Sequence, residues 1–369
     1  MTRVDLVDPS AYTPPYDHAL AAALSRAGAS VRLISSRFPY GSVPPPEGYQ
    51  LASHFYRHAR GPAGSGLRRA LKLAEHVPDM LRYRQTAQAA DVVHFQWLSV
   101  PMLDVRLLPD RPTVLTAHDL LPREPRPGQL RAQRRLLEAV RAVVVHSQYG
   151  RRALVDGLGL DPDSVHVIHH GAFEHLTRLG HQSPLPAEVG SPESPVVLYF
   201  GLIRPYKGVE VLLDAWRGIS GAELWVVGRP RMDVTGLQAT SPASVRWLPR
   251  FVPDAELAAL FRRADIVVLP YTRTERFDQS GVLATALAFG KAILLTDIGG
   301  FGELAAIGAA RIVTPGDPAA LGQALQALLD DPAERERLQA AALTAAQGPY
   351  SWDAAAELTL RLYERILAA

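Results

Sequence analysis

Short apolar runs rich in β-branched residues alternate with segments of helical period along both halves of the chain. The runs of the first half lie at residues 4–7, 30–34, 92–95, 113–116, 142–145 and 164–168. The pattern then restarts, with runs at residues 196–200, 223–227, 245–248, 266–269, 292–295 and 311–313. Strands that alternate with helices are typical of βαβ units around a parallel sheet. The chain is therefore predicted to be α/β, with two Rossmann-like, doubly wound parallel-sheet domains facing a cleft.

Glycine and proline mark the predicted boundary between the two domains. They gather between residues 172 and 195, where neither helical nor strand period is present. We place an N-terminal domain at residues 1–175, a linker at 176–195 and a C-terminal domain at 196–348. A last helix follows Ser351, a suitable N-cap residue, and residues 349–369 are expected to cross back to the N-terminal domain. A chain of 369 residues is long enough for two such domains.

The amino-acid composition limits which kinds of protein, binding partner and compartment are expected. Hydrophobic residues make up 47% of the chain and charged residues 21%, as in a globular protein. The net charge of +2 is too small to favour nucleic acid as a partner. The chain has no cysteine, which excludes disulfides and zinc–thiolate sites and fits an intracellular compartment. No run has the length of a membrane span and the start lacks a leader's apolar core, so we expect a cytoplasmic protein.

Histidine follows three predicted strands of the N-terminal half, at His94, His118 and His146. Because parallel strands end on one side of a sheet, the imidazoles are expected at a common edge. A metal site is the minor alternative, because their spacing matches no ligand motif, and bonds to the backbone are the plainer interpretation of His94 and His146. His118 differs, since Asp119 follows it and a neutral imidazole there can bond a polar ligand. Residues 8–16 hold no glycine, which argues against a dinucleotide-binding loop.

The stretch Tyr-Phe-Gly-Leu-Ile-Arg-Pro-Tyr-Lys-Gly at residues 199–208 is the strongest local signal. Arg204 and Lys207 follow a predicted strand, and Gly208 precedes an apolar helix. A helix N-terminus presents free N–H groups, and two cations beside it favour a phosphate or diphosphate. A solvated turn with two unrelated cations is the alternative from these residues alone. Two further loops after strands, residues 277–282 and 297–300, are rich in small residues and also favour a phosphorylated ligand.

Taken together, these segments resemble a GT-B glycosyltransferase of the large retaining family often numbered four. Residues 200–208 resemble the family's Gly-Arg-x3-Lys-Gly element, whose Arg and Lys hold the donor diphosphate. Residues 286–293 with residues 296–300 resemble the family's Ala-Met-Ala-x-Gly-x-Pro-Val helix and the loop after it. Residues 116–119, Thr-Ala-His-Asp, resemble the His-Asp that contacts the donor sugar. The resemblance covers nearly the whole chain.

The resemblance implies a site with three groups of residues. It gives Arg204 and Lys207 the electrostatic part of catalysis, and His118 the positioning of the sugar. The donor-binding residues that it implies are Gly201, Asp119, Asp278, Gln279, Ser280, Gly281, Val282, Thr285, Phe251, Gly299 and Gly300. Tyr12, Tyr16 and His94 are expected on the acceptor side. No metal and no separate cofactor are expected, because the nucleoside diphosphate sugar is a co-substrate.

One departure from the family pattern concerns its Glu-x7-Glu element. The two carboxylates fall at Phe277 and Thr285 here, and neither residue is acidic. Thr285 can bond a ribose hydroxyl more weakly than a glutamate, and Asp278 or Glu275 can stand near the sugar after a small shift. The amides of residues 280–282 can cradle a phosphate whatever their side chains are.

The function that the resemblance implies is metal-independent, retaining transfer of a sugar to a hydroxyl of a glycolipid, polysaccharide or small glycoside. A GT-B protein that binds a sugar nucleotide without transfer, or a sugar-nucleotide epimerase, stays open as the alternative. The segment 57–84 is basic and predicts either a solvated helix pair or, as the resemblance implies, a surface that docks on anionic lipid at the inner face of a membrane or binds a charged acceptor. Its cations are Arg57, Arg60, Arg68, Arg69, Lys72, Arg82 and Arg84.

Overall fold

The structure, a computed structural model, describes residues 1–39, 43–62, 65–121, 127–179, 184–272 and 279–368. The chain forms two compact units. The first unit comprises Met1–Gly171 and Trp352–Ala369, and the second comprises Ala172–Ser351. The chain thus passes between units at Gly171 and Ser351, whereas the sequence placed these boundaries at residues 175 and 349.

The first unit is built on a parallel sheet that has seven strands within the described residues. The strands are β1 (Arg3–Asp8), β2 (Ser30–Ser36), β3 (Gln50–Phe55), β4 (Val92–Phe95), β5 (Thr113–Thr116), β6 (Ala142–Val145) and β7 (Val165–Val167). Their order across the sheet is β3-β2-β1-β4-β5-β6-β7, and every pair is parallel. The strand order reverses between β1 and β4, which is the switch point of a doubly wound sheet.

The helices of the first unit connect these strands. They are α1 (Pro14–Arg26), α2 (Gly66–Thr86), α3 (Pro101–Leu107), α4 (Gln129–Ala139), α5 (Gln148–Leu158) and the C-terminal helix α14 (Trp352–Ala368). Helix α14 packs on α1. A Cβ atom on Gly171 would overlap the indole ring of Trp352, so the absent side chain makes room for the first residue of α14.

Burial explains why most strands could be found from sequence and why one could not. Every residue of β4, β5 and β6 is buried, which is the reason for their unbroken apolar runs. Strand β3 lies at the edge of the sheet and is exposed along much of its length. Its sequence, Gln-Leu-Ala-Ser-His-Phe, has no β-branched residue, and this strand was absent from the prediction.

The second unit repeats the architecture on a parallel sheet that has six strands in the described part of the chain. The strands are β8 (Val196–Phe200), β9 (Glu223–Val227), β10 (Val245–Leu248), β11 (Ile266–Leu269), β12 (Ala292–Thr296) and β13 (Arg311–Val313). Their order is β10-β9-β8-β11-β12-β13, so the switch point lies between β8 and β11. Ligands of such sheets bind outside the carboxyl ends of the strands at that point.

Eight helices surround this sheet within the described residues. They are α6 (Glu174–Thr177), α7 (Val209–Trp216), α8 (Thr235–Thr240), α9 (Asp254–Arg263), α10 (Gly281–Ala288), α11 (Phe301–Ala306), α12 (Pro318–Asp330) and α13 (Pro332–Gln347). Asp317 and Asp331 cap α12 and α13 by accepting backbone N–H groups of their first turns. Two parallel-sheet α/β domains are the fold class that the sequence predicted, and that prediction is confirmed.

Candidate functional site

The loop that follows β8 begins with Gly201, whose backbone lies in a region that other residues avoid. Its φ angle is 117°. A Cβ atom there would lie 3.1 Å from Nζ of Lys207 and 3.2 Å from Cγ2 of Val282. Gly228 packs against the same loop so closely that a Cβ atom on it would overlap the carbonyl oxygen of Gly201. The two glycines therefore let Lys207 and Val282 approach the end of β8.

Lys207 is positioned by a 3₁₀ turn, Pro205–Lys207, that ends against the next strand of the sheet. The N–H of Lys207 donates to the carbonyl oxygen of Arg204 (3.0 Å). Gly208 follows at a φ of 71°, and a Cβ atom on it would overlap the carbonyl oxygen of Pro270, the residue after β11. Only glycine allows this close approach, so the sequence Lys-Gly ties the cation to the switch point between β8 and β11.

The ammonium group of Lys207 lies beside the start of α10. It stands over the ring of Tyr271, 4.9 Å from the ring centroid. The hydroxyl group of Tyr271 shares a 3.2 Å hydrogen bond with Oγ of Ser280, the residue that precedes α10. A half-buried cation next to a helix N-terminus is an arrangement that attracts a phosphate group. The structure therefore brings together three residues that the sequence assigned to donor binding, Gly201, Ser280 and Val282, and the predicted catalytic residue Lys207.

Helix α10 begins with predicted donor-binding residues whose side chains bond locally. Gln279 accepts the N–H of Ser280 through Oε1 (3.1 Å). The Thr285 hydroxyl donates to the carbonyl oxygen of Gly281 (2.9 Å), and Thr285 is buried. Its hydroxyl proton is thus used inside the helix, and a bond from Thr285 to a ribose hydroxyl stays a prediction in which its oxygen is the acceptor.

Of the other residues assigned to donor binding or to the electrostatic part of catalysis, Asp119 is half-buried and follows His118 in the first unit, and the rest lie in separate loops of the second unit. Arg204 is half-buried, and it forms no ion pair with a carboxylate among the described residues. Phe251 is 62% exposed after β10. Gly299 has a φ of 53°, and Gly300 precedes α11 after β12. Phe277, Asp278 and Glu275 lie outside the described residues.

A cluster of imidazole and aromatic rings surrounds His118 in the first unit. The His118 ring stacks on Trp97, with 5.1 Å between centroids, and meets Tyr16 edge-on at 4.6 Å. Its Nδ1 lies 3.2 Å from Nε2 of His146, and its Nε2 lies 3.2 Å from the side-chain amide of Gln96. The Nδ1 of His146 lies 2.9 Å from the carbonyl oxygen of Ile168. The three side chains form a chain that ends on the backbone.

The number of protons that each ring can donate fixes the proton positions along this series of hydrogen bonds. A neutral imidazole donates once and accepts once. His146 must donate from Nδ1 to Ile168, so its Nε2 accepts from Nδ1 of His118, and Nε2 of His118 is an acceptor. Oε1 of Gln96 is the atom placed 3.2 Å from this nitrogen, and exchange of the amide's oxygen and nitrogen turns its NH2 group toward His118. This orientation also gives a partner to the Gln96 nitrogen, which is otherwise buried without one.

Burial keeps the imidazoles of this cluster neutral. It lowers the pKa of His118 well below the usual value, and the neighbouring His146 and His170 lower it further. Burial also lowers the pKa of His146 to about 3 and that of His170 to about 4. A neutral His118 fits the predicted role of orienting a ligand through hydrogen bonds rather than that of a charged acid.

The residues predicted on the acceptor side differ in exposure. Tyr12 is 59% exposed and lies edge-on to Trp97. Tyr16 is buried among the rings of the His118 cluster. His94 is buried, with Nδ1 2.7 Å from the Tyr363 hydroxyl and Nε2 2.8 Å from Oγ1 of Thr116. Both nitrogens of His94 therefore have side-chain partners, whereas the plainer interpretation expected bonds to the backbone.

A buried carboxyl pair that the sequence interpretation did not identify lies at the end of β1. Asp8 and Asp17 share a side-chain hydrogen bond. Asp8 also accepts the N–H groups of Ser10 (3.1 Å) and Thr13 (3.2 Å). Burial, followed by the charge of Asp8, raises the pKa of Asp17 well above its usual value, so Asp17 carries the shared proton. Asp8 at the strand end and Asp17 in α1 were visible in the sequence, but their distance was not.

Ion pairs reduce the predicted basic surface of residues 57–84. Arg82 pairs with buried Asp79, and Arg84 pairs with Asp110 (2.7 Å). Lys72 stands over the ring of Tyr56, 4.8 Å from its centroid, and burial lowers the pKa of Lys72. The arginines at positions 57, 60, 68 and 69 keep their charge without a carboxylate partner among the described residues.

Two kinds of feature are absent from the described residues. No group of three or more histidine, aspartate or glutamate side chains is arranged there to hold a metal ion. No helix in that part of the chain is both long and apolar enough to cross a membrane.

Comparison with known proteins gives matches over both units. Residues 16–172 match the family described as Glycosyltransferase Family 4, and residues 194–331 match Glycosyl transferases group 1. The D-inositol 3-phosphate glycosyltransferase of Kineococcus radiotolerans is 30% identical over 73% of this chain and 68% of its own length. The phosphatidyl-myo-inositol mannosyltransferase of Mycobacterium leprae is 32% identical over 60% of this chain. The match spans 58% of that mannosyltransferase, less than two thirds of its length.

Solved structures share the fold at lower sequence identity. The sucrose-phosphate synthase of Thermosynechococcus elongatus matches with a TM-score of 0.77 and 19% identity over 100% of both chains. The Anabaena protein HepE, in complex with UDP-glucose, matches with a TM-score of 0.73 and 19% identity over 99% of this chain and 100% of its own. Both likenesses support the GT-B architecture that the sequence predicted.

Proposed function

The chain belongs to Glycosyltransferase Family 4, and on that premise we propose that it transfers a sugar from a nucleoside diphosphate sugar to an acceptor hydroxyl. The observation that carries this proposal is the convergence of Lys207, the bare backbone of Gly201 and the start of α10 at the switch point of the second sheet. A diphosphate needs cations, close backbone approach and N–H donors, and this place offers all three.

In this proposal the main catalytic task is electrostatic. Negative charge develops on the diphosphate as the glycosidic bond breaks, and preorganised cations stabilise it most in the transition state. Lys207 supplies a compact ammonium group on a flexible stem, and Arg204 supplies a planar fork that matches two phosphate oxygens. The cations belong to the protein itself, and on this ground we propose that transfer needs no metal ion.

His118 orients the sugar in the same proposal. A sugar hydroxyl donates to Nε2 of His118, in place of the Gln96 amide, and the ring is held by Trp97 and His146. We propose retention at the anomeric carbon by a front-face route, in which a donor phosphate oxygen accepts the acceptor proton. Asp278 and Glu275 stay candidates for the carboxylate near the sugar, because they lie outside the described residues.

The substrates follow from the relatives only as proposals. HepE is described in complex with UDP and with UDP-glucose, which supports a uridine nucleotide as the first donor to test. The curated relatives are named for D-inositol 3-phosphate and phosphatidyl-myo-inositol, which supports a polyol phosphate or glycolipid acceptor. Peripheral contact with a membrane through Arg57, Arg60, Arg68 and Arg69 belongs to the same proposal.

The experiment is a screen of UDP, GDP, ADP and TDP sugars by thermal shift, followed by donor turnover with and without EDTA. We expect one nucleotide series to raise Tm and its sugar to be transferred or slowly hydrolysed, with NMR of the product showing a retained anomer. Binding without turnover would instead support a sugar-nucleotide-binding protein that has lost activity. Turnover that EDTA abolishes would refute metal independence while leaving the transferase assignment intact.

A further inference from the structure

A cavity of about 810 Å³ opens at the carboxyl ends of β2 and β3, away from the His118 cluster. Phe38, Phe55 and Tyr56 supply its aromatic wall. The described residues that line it include four arginines and no carboxylate, and the arginines are Arg37, Arg57, Arg60 and Arg68. A volume of this size accommodates a ligand larger than a single small ion.

The described part of the protein offers no carboxylate to neutralise the positive charge of this arginine cavity. Among the described residues, no carboxylate pairs with any of the four guanidinium groups. Arg57 donates Nη2 to the carbonyl oxygen of Ser53 (3.0 Å), which holds its side chain in place and leaves most of its donors for a ligand. Arg82 and Arg84 of the same segment are instead paired with Asp79 and Asp110.

The first turn of α2 adds positive charge to the cavity instead of compensating it. Arg68 and Arg69 lie in this turn, which has no acidic residue. A helix N-terminus favours negative side chains, so two arginines there oppose the helix dipole. Ser65 caps the helix by accepting the N–H of Arg68 (3.3 Å). An anion bound in the arginine cavity would satisfy both the dipole and the arginines.

The wall of the arginine cavity is held in a strained conformation. Tyr56 has a φ of 54°, a left-handed backbone that costs energy in a residue other than glycine. Its N–H donates to Oδ2 of Asp79 (2.6 Å), and its hydroxyl lies 2.8 Å from Nδ1 of His76. The Nε2 of His76 in turn lies 2.6 Å from Oδ1 of Asp104. These buried contacts fix the backbone from which Arg57 projects, and such maintained strain is typical of binding sites.

We propose that the arginine cavity binds a phosphate group on the acceptor, an inference that rests on the proposed transferase function. Guanidinium forks match phosphate oxygens two at a time, and several arginines together balance a group that carries up to two negative charges. The remaining volume holds the sugar or polyol attached to that phosphate.

The positions of the arginine cavity and of His118 in the sheet set a minimum length for this acceptor. Strands β2 and β3 lie three and four places from β5, the strand that carries His118. With neighbouring strands about 4.8 Å apart, the two sites are separated by roughly 14 to 19 Å. An acceptor that reaches both sites carries its phosphate at least one sugar away from the reacting hydroxyl, as in a glycolipid with an extended headgroup or a soluble phosphorylated glycoside. Glycerol 3-phosphate and phosphatidylinositol are too short to reach both sites, so they probe the phosphate-binding step alone.

The test measures binding to the whole chain in the presence of saturating UDP, which occupies the diphosphate site of the second unit. The probes are glycerol 3-phosphate and vesicles of phosphatidylcholine with or without phosphatidylinositol. We expect Arg37→Gln/Arg60→Gln to raise the Kd of the probe that binds by about tenfold or more, since each lost charged hydrogen bond is a large term. Arg141→Gln, at an exposed arginine of the first unit that does not line the cavity, is the matched control and is expected to change that Kd less than twofold.

The outcomes separate the sources of the phosphate and test the site. The site is supported if the parent binds the soluble probe, the phosphatidylinositol vesicles or both, and if the double variant loses that binding. The probe that binds tells which source of phosphate the site accepts. Absence of binding to either probe, or unchanged binding by a double variant whose Tm matches the parent, overturns it. No donor sugar is used, so failure of the transferase proposal, seen as absent donor turnover, is recorded separately.

Discussion

His146 accepts a hydrogen bond from Nδ1 of His118, with 3.2 Å between the two nitrogens. The carbonyl oxygen of Ile168 sets this direction, because it takes the only proton of His146. The tautomer of His118 is thus determined by a backbone atom on the far side of one intervening side chain, His146. A residue in the position of His146 orients a ligand-binding imidazole without touching the ligand itself.

The first prediction concerns the charge of His118. Because its pKa lies well below the ordinary value, the imidazole stays neutral from mildly acidic to alkaline pH. We expect ¹⁵N spectra of the protein to show His118 as a single neutral tautomer, with the proton on Nδ1, across that range. Assignment uses His118→Asn, and the exposed His58→Asn is the control that leaves the signals in place.

The same property predicts the pH dependence of turnover. We expect no ionisation of His118 to shape the pH profile of kcat/KM near the usual imidazole pKa. The profile of His118→Asn should therefore have the same shape there as that of the parent. His146→Leu should mix the tautomers of His118 and lower kcat/KM by about tenfold, since one orienting hydrogen bond is lost. A His118 signal that titrates near neutral pH contradicts this part of the account.

The second prediction concerns the carboxyl pair at the end of β1. Asp17→Asn keeps an N–H donor to Asp8 and should be tolerated. Asp8→Asn removes the charged acceptor of several backbone N–H groups and should lower the free energy of unfolding by about 1–3 kcal/mol more. Denaturant unfolding of the two variants at neutral pH compares them, and equal stability would be evidence against a shared proton on Asp17.

The sign of the pH effect follows from the raised pKa of Asp17. The folded state holds the Asp17 proton more tightly than the unfolded state, so stability is lost as pH rises toward the folded pKa. Asp17→Asn has no such proton. Its unfolding free energy should therefore fall less than that of the parent as pH is raised above the ordinary carboxyl pKa.

The third prediction concerns the backbone beneath Lys207. In Gly208→Ala the new methyl group meets the carbonyl oxygen of Pro270 at a positive φ, so the turn must move. We expect a loss of about 2 kcal/mol or more in unfolding free energy, together with weaker binding of nucleoside diphosphates. Gly218→Ala is the matched control, because a Cβ atom there meets nothing within 4 Å. Parent-like diphosphate affinity in Gly208→Ala would show that the turn does not position the phosphate site.

Much of the fold could be predicted from sequence because the buried parallel strands are continuous apolar runs. The runs at residues 92–95, 113–116 and 142–145 coincide with β4, β5 and β6. Strand β3 could not be found, since an exposed edge strand has no such composition. The point at which the chain leaves the first unit, Gly171, could not be predicted either, because it depends on how the indole of Trp352 packs on that glycine.

The residues of the candidate site likewise divide into those that the sequence predicted and those that it could not. Lys207 and Gly201 were visible because a short sequence motif places both of them at one strand end. The roles of Gln96 and Asp17 depend on side-chain distances across the sheet, which no local pattern encodes. The arginine cavity is a third case, since Arg37 joins Arg57 only through the pairing of β2 with β3.

The most direct test of the central claim is the turnover of Lys207→Ala with the donor that the nucleotide screen identifies. We predict that kcat falls by about a hundredfold or more, as on removal of one preorganised charge stabiliser, while Tm stays near that of the parent. Arg217→Ala, which removes an exposed cation at the end of α7, should keep parent activity. A Lys207→Ala protein that turns over the donor at the parent rate would contradict the assignment of this site to the diphosphate.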